Sequence, residues 1–155
     1  MKKPLICMLC FLLSAGIAFT QTKPKPPVKK SIPEMKKLLI GLDVPYNIIN
    51  DTVAVIPYNG ANIPSFEVVV QKLGDLYMIS TNISEALPGK IDSTKYKYLL
   101  QQTEYYDMIK IGMSEDVDMV YIRADVYKAG MTTAILDKVI KQVANVSNII
   151  AGELK

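Results

Sequence analysis

Two stretches of this chain alternate apolar and polar residues so regularly that a half-buried antiparallel sheet is the structure that suits them. From Phe66 to Lys72, Phe66, Val68 and Val70 fall on one side and Glu67, Val69 and Gln71 on the other, and Leu76 to Thr81 alternates again. Between these strands stands Gly74-Asp75, a pair that closes a tight hairpin whose twist suits its arms. A second hairpin is expected from Met108 to Met113, through Ser114-Glu115-Asp116, and back along Val117 to Val126. In it Ile109, Ile111 and Met113 alternate with Lys110, while Val120, Ile122, Ala124 and Val126 alternate with Tyr121, Arg123 and Asp125. Such patterning implies one packed face and one more polar face. A further strand, Thr52 to Ile56, is a β-branched run ended by Pro57 and the turn pair Asn59-Gly60.

Helical spacing brackets these strands. Ser31 and Glu34 form a capping-box pattern, Pro33 sits where its missing N–H costs nothing, and Met35, Leu38, Leu39 and Leu42 recur with helical period. A first helix over Pro33 to Leu42 follows, stopped by Pro45. From an N-cap at Asp92 or Ser93, residues Tyr96, Leu99, Leu100 and Thr103 mark one side of a second helix, and Lys95, Lys97 and Gln101 much of the other. Gly130 with Thr132 or Thr133 starts the last helix, whose apolar stripe is Ile135, Leu136, Val139, Ile140, Val143 and Ile150. The order α-β-β-β-α-β-β-α predicts an α+β fold: an antiparallel five-stranded sheet with helices packed on one face.

Residues 1–20 read as an address. Lys2 and Lys3 precede an apolar run from Leu5 to Leu13, which ends in the small or short residues Ser14, Ala15, Gly16, Ala18 and Thr20, the order of a secretory signal peptide. The run is shorter than the roughly 18 to 20 residues that span a bilayer. Cleavage after Thr20, with Ala18 as the other candidate, exposes Gln21. Residues 21–30, rich in Pro and Lys, read as an extended linker, with a basic arm on an anionic surface as its alternative, and residues 31–155 as one α+β domain. A periplasmic or secreted location is expected.

The leader carries Cys7 and Cys10, the only cysteines, and the chain has no histidine. Once the leader is removed, disulfides, thiol nucleophiles and most metal and triad chemistry go with it. Cys10 follows Leu9 with apolar sequence on both sides, which does not suit lipid anchoring. Of the 18 basic residues, two lie in the leader and four in the linker, so the domain carries 12 against 15 acids, a balance of −3. That gives no basic face for nucleic acid.

Reactive constellations are few. Ser93-Thr94-Lys95 has the residue types of a Ser-Lys dyad, but a helix start explains them as cap and solvated side chain. Glu115, Asp116 and Asp118 sit at an expected hairpin tip, lack the spacing and glycine of a calcium loop, and are read as turn formers. No catalytic residue, cofactor or metal ligand is assigned. Asn82-Ile83-Ser84 and Asn145-Val146-Ser147 match the glycosylation pattern, which recurs by chance.

Tyrosine is the abundant aromatic, with nine residues against three phenylalanines and no tryptophan. Ordinary half-buried packing with wet hydroxyls accounts for them. The sharper alternative is an interaction surface in which Tyr77 and Tyr121, out of step with the core residues of their strands, join Val69 and Arg123 in an aromatic, Arg-bearing patch.

The run from Leu99 to Ile150 passes from helix to short strand, acidic turn, strand, Gly130-Met131-Thr132 and long amphipathic helix. Together with the earlier helix and meander, this order resembles the type III secretion chaperone-like fold, and in particular the bacterial YbjN-type domains. The likeness of layout covers about residues 31–151. It implies a non-enzymatic module that pairs with itself and binds other polypeptides. An export signal departs from the cytoplasmic secretion chaperones and removes their particular partners. The expectation is therefore an exported protein-binding or chaperone-like homodimer that is not an enzyme, with no nucleic-acid partner and no membrane span. Its alternatives are a small hydrolase or lyase working through carboxylates, and a small-ligand carrier with an apolar cavity between helices and sheet.

Overall fold

A computed structural model describes residues 33–87, 89, 91–114 and 119–155 of the chain. The expected leader, linker, Ser31 cap and acidic turn at Glu115, Asp116 and Asp118 lie outside the described residues. The elements are α1 (Glu34–Leu39), β1 (Asn47–Asn50), β2 (Val53–Tyr58), β3 (Phe66–Leu73), β4 (Leu76–Asn82), a 3-10 turn (Ser84–Ala86), α2 (Ser93–Tyr105), β5 (Ile109–Ser114), β6 (Met119–Tyr127) and α3 (Thr133–Glu153). The α+β class and the antiparallel sheet are as expected.

The sheet has six strands, not five, in the order β1-β2-β3-β4-β6-β5. The additional strand is β1, whose sequence Asn-Ile-Ile-Asn has no period of two and is flanked by a residue type depleted in strands. It is a short edge strand, exposed along its length, with a register irregularity between Ile48 and Asn50 against β2. Bulged, short edges discourage pairing with other chains.

Both expected hairpins form. β3 and β4 pair from Leu73 opposite Leu76, and Gly74 adopts φ +55° as the first residue of the two-residue turn, a conformation that favours glycine. β5 and β6 pair from Ser114 opposite Met119, with Ile111 opposite Ile122. β4 and β6 then join antiparallel, Ile79 opposite Ala124, so α2 connects β4 to the far edge of the sheet.

One face is the core. Ala54 and Ile56, Val68 and Val70, Ile79, and Val120, Ile122 and Ala124 project there fully buried. α3 packs across β3, β4 and β6 through Leu136, Val139, Ile140, Val143 and Ile150, and α1 adds Met35 and Leu39 beside it. Thr132 caps α3, its Oγ1 accepting from Ile135 N at 3.2 Å, and Ile135, expected in the apolar stripe, is 42% exposed. Asp92 caps α2, its Oδ1 accepting from Lys95 N at 2.9 Å.

Two helices depart from their expected form. α1 ends at Leu39, short of Leu42, because Ile40 and Gly41 turn the chain, and at Gly41 the backbone passes close to the Thr133 side chain. α2 packs on β5 but buries Leu99 alone; Leu100, on the side marked apolar, is 74% exposed.

Asn148 of α3 ties down the β2–β3 loop. Its Oδ1 accepts from Asn62 N at 2.8 Å and Ile63 N at 3.2 Å, and Asn62 Nδ2 donates to Asn148 O at 2.9 Å. Across 85 residues of sequence, one amide thus satisfies two loop N–H groups that would otherwise be orphaned.

Candidate interaction surface

The second sheet face carries no described helix-core row, and its residues follow from register alone. Val69 on β3 stands opposite Ser80 on β4, Ser80 opposite Arg123 on β6, and Arg123 opposite Lys110 on β5. One step along, Gln71 faces Met78 and Met78 faces Asp125. Three of the four expected patch residues, Val69, Tyr121 and Arg123, line a single trough of about 550 Å³ with Met78, Ser80 and Met119.

Tyr77 does not join them. It is fully buried on the core face, one position before the row of Met78, and its hydroxyl donates to Glu34 Oε1 of α1 at 3.1 Å. The expectation is corrected here: β4 reads Leu-Tyr-Met-Ile-Ser-Thr, in which both parities carry large apolar residues, and pairing with Val70 settles that Ile79 and Tyr77 point inward. The residues that sequence reasoning passed over, Met78, Ser80 and Met119, share parity with Val69 and Arg123 and were legible once that register was fixed.

Tyr121 is held by a missing side chain. It stands opposite Gly112, and a Cβ at Gly112 would run into its ring, so the tyrosine covers the glycine. The Arg123 guanidinium carbon lies 5.9 Å from the Tyr121 ring centroid. Arg123 Nη2 donates to Asp125 Oδ2 at 3.0 Å, and Lys110 Nζ donates to the same oxygen at 2.8 Å. Burial pushes the Asp125 carboxyl up, but the Lys110 hydrogen bond and the two neighbouring positive charges outweigh it and hold the group below its ordinary value.

A second charged cluster closes the core face. Glu34 accepts from Lys72 Nζ at 2.7 Å and lies 3.0 Å from Lys128 Nζ. These two lysines, then Tyr77, lower its pKa to about 2 against desolvation. Burial first and Glu34 second push the Tyr77 hydroxyl up to about 12. Glu34 therefore bridges α1 to the ends of β3 and β6, a role invisible in its local spacing.

Neither charged cluster is tuned for acid catalysis. General-acid work needs a carboxyl raised toward neutrality, and the surroundings of Glu34 and Asp125 lower both. Among the described residues no three acids converge in a group that could hold a metal ion, and no helix is long and apolar enough to cross a membrane. Ser93 opens α2 beside the Asp92 cap. Asn82 Oδ1 is engaged by Ser84 N and Oγ, and Asn145 lies within α3 beside the buried Ser147.

No family model matches the chain, and no curated protein matches it. Among solved structures it is similar to a chain of the heterodimeric complex ExoU–SpcU from the type III secretion system of Pseudomonas aeruginosa, at 13% identity and a TM-score of 0.53. The match covers 80% of this chain and 98% of that one. At that identity the likeness speaks for the fold alone.

Proposed function

We propose that this chain is an exported, non-enzymatic protein-binding module of the chaperone-like kind, related in layout to YbjN-type domains and paired with itself. The observation that carries the reading is the open sheet face, where an apolar trough walled by Tyr121 and crossed by Arg123 lies on the side opposite α1 and α3. Aromatic, methionine and arginine side chains are the types enriched where proteins meet. Likeness of fold to a chain from a heterodimeric complex supports a polypeptide as the ligand class. The lysine-led, small-residue-ended leader supports export to the periplasm or medium. Self-association is supported by the exposed Leu100 and Tyr96 of α2, which with Ile111 and Met113 form an apolar hollow at the β5 edge.

The test has two arms. Light scattering on the purified protein reads the pairing: a dimer mass held over a dilution series supports it, and a monomer at every concentration contradicts it. Affinity capture from the native cell envelope reads the binding. Tyr121→Asp on the open face is expected to lose a partner that Lys138→Asp on α3 retains, with circular dichroism showing both variants folded. Equal capture by the two variants contradicts the assignment of the face.

A further inference from the structure

We infer that the open-face trough binds an extended, apolar polypeptide segment through an acidic residue whose carboxylate seats on Arg123. The inference rests on the protein-binding reading and adds the chemistry of the partner. Arg123 is the one ionised side chain among the described lining residues; Val69, Met78 and Met119 supply apolar surface with adaptable thioethers.

The guanidinium is only partly used. Its Nη2 reaches Asp125 at 3.0 Å, but Nη1 meets only the Met78 sulfur, a weak acceptor, at 3.9 Å. Nε is buried and has no hydrogen-bond partner. Asp125 does not complete the set, because the same oxygen also takes Lys110 at 2.8 Å. One carboxylate thus serves two cations, and a positive charge is left over beside an apolar floor. The Nη1 side of the guanidinium, met only by a weak sulfur acceptor on a side chain that is 35% exposed, favours an incoming anion, and a planar guanidinium matches a carboxylate best.

The shape of the trough selects a polypeptide. Its lining runs from Val69 on β3 through β4 and β6 to Ser114 on β5, so it crosses three inter-strand gaps of about 4.8 Å, or about 14 Å. That is the length of four to five extended residues at about 3.3 Å each. It lies open on the sheet, whereas small-molecule sites bury about 70–90% of their ligand.

Titration of the nitrogen-15-labelled full chain by NMR reads this directly. The probes are the peptide acetyl-GLVDLMG-amide and its asparagine counterpart acetyl-GLVNLMG-amide, carried to millimolar concentration so that weak binding registers. The aspartate peptide is expected to bind about tenfold more tightly, equivalent to about 1.4 kcal/mol, with shifts at Met78, Ser80, Tyr121 and the Arg123 Nε–H. Arg123→Gln should bring the two affinities together, while Arg123→Lys keeps part of the preference. Equal affinities at these same residues in the unaltered protein overturn the acidic preference and leave the protein-binding reading standing. Shifts confined to other surfaces, or none with either peptide, tell against both.

Discussion

Ile122 and Tyr121 are neighbours on β6 that the fold sends to opposite faces, so truncating each measures the face assignment. Ile122 is fully buried, with Thr81 beside it on β4 and Ile111 on β5. Ile122→Ala removes three carbons, which at about 0.8 kcal/mol each amounts to about 2.4 kcal/mol of transfer free energy. The residual cavity raises the expected loss to about 3–4 kcal/mol, since the sheet and α3 can close on the void only partly. Tyr121→Ala gives up a half-buried ring and its cover over Gly112, and about 1 kcal/mol is expected. Urea unfolding followed by far-UV circular dichroism supplies both values, provided that the slope with denaturant is unchanged. A loss at Tyr121 equal to or greater than that at Ile122 would refute the reasoning, because a slip of one residue exchanges the two faces.

Three other perturbations test the supports of the fold. Glu34 has its pKa lowered from 4.5 to about 2, so its contribution is present above pH 4.5 and fades as pH falls toward 2; Glu34→Gln should flatten the acid limb of a Tm-against-pH curve over that window, and an unchanged limb contradicts the bridge. Asn148→Ala leaves Asn62 N and Ile63 N without their acceptor and should cost about 1–3 kcal/mol in urea unfolding, with Asn148→Asp keeping most of the stability; equal losses in the two variants count against the clasp. Gly74→Ala has open space for its methyl but must hold φ +55°, and a loss of about 1–2 kcal/mol is expected from backbone strain alone.

Much of the architecture could be read from residue spacing, where one physical signal dominated. Phe66 to Lys72 alternates clearly and is followed by the turn pair Gly74-Asp75, and both local propensity and turn chemistry point to the hairpin that forms. The stripe Leu136, Val139, Ile140, Val143 and Ile150 likewise carries enough apolar surface to fix which side of α3 is buried. β1 escaped because two isoleucines between asparagines have no period, and its pairing depends on β2 being there to receive it. α2 shows the converse: Leu100 and Tyr96 mark an apolar side, but spacing names a face without naming what covers it. The candidate surface was half legible. Val69, Tyr121 and Arg123 were found by parity, whereas Tyr77 went to the wrong side because large apolar residues occupy both parities of β4. Glu34 read as half of a local capping pattern, yet its side chain is committed to Lys72, Tyr77 and Lys128, partners 38 residues or more away in sequence.

Site-specific photocrosslinking addresses the central claim most directly. A benzoylphenylalanine placed at Tyr121, in the trough, or at Ile135, exposed on the helical side, is irradiated in cells producing the full chain. The protein-binding account expects discrete adducts with another polypeptide from position 121, reduced by Arg123→Gln, and few from position 135. Adducts arising equally from both positions, or from 135 alone, would contradict it.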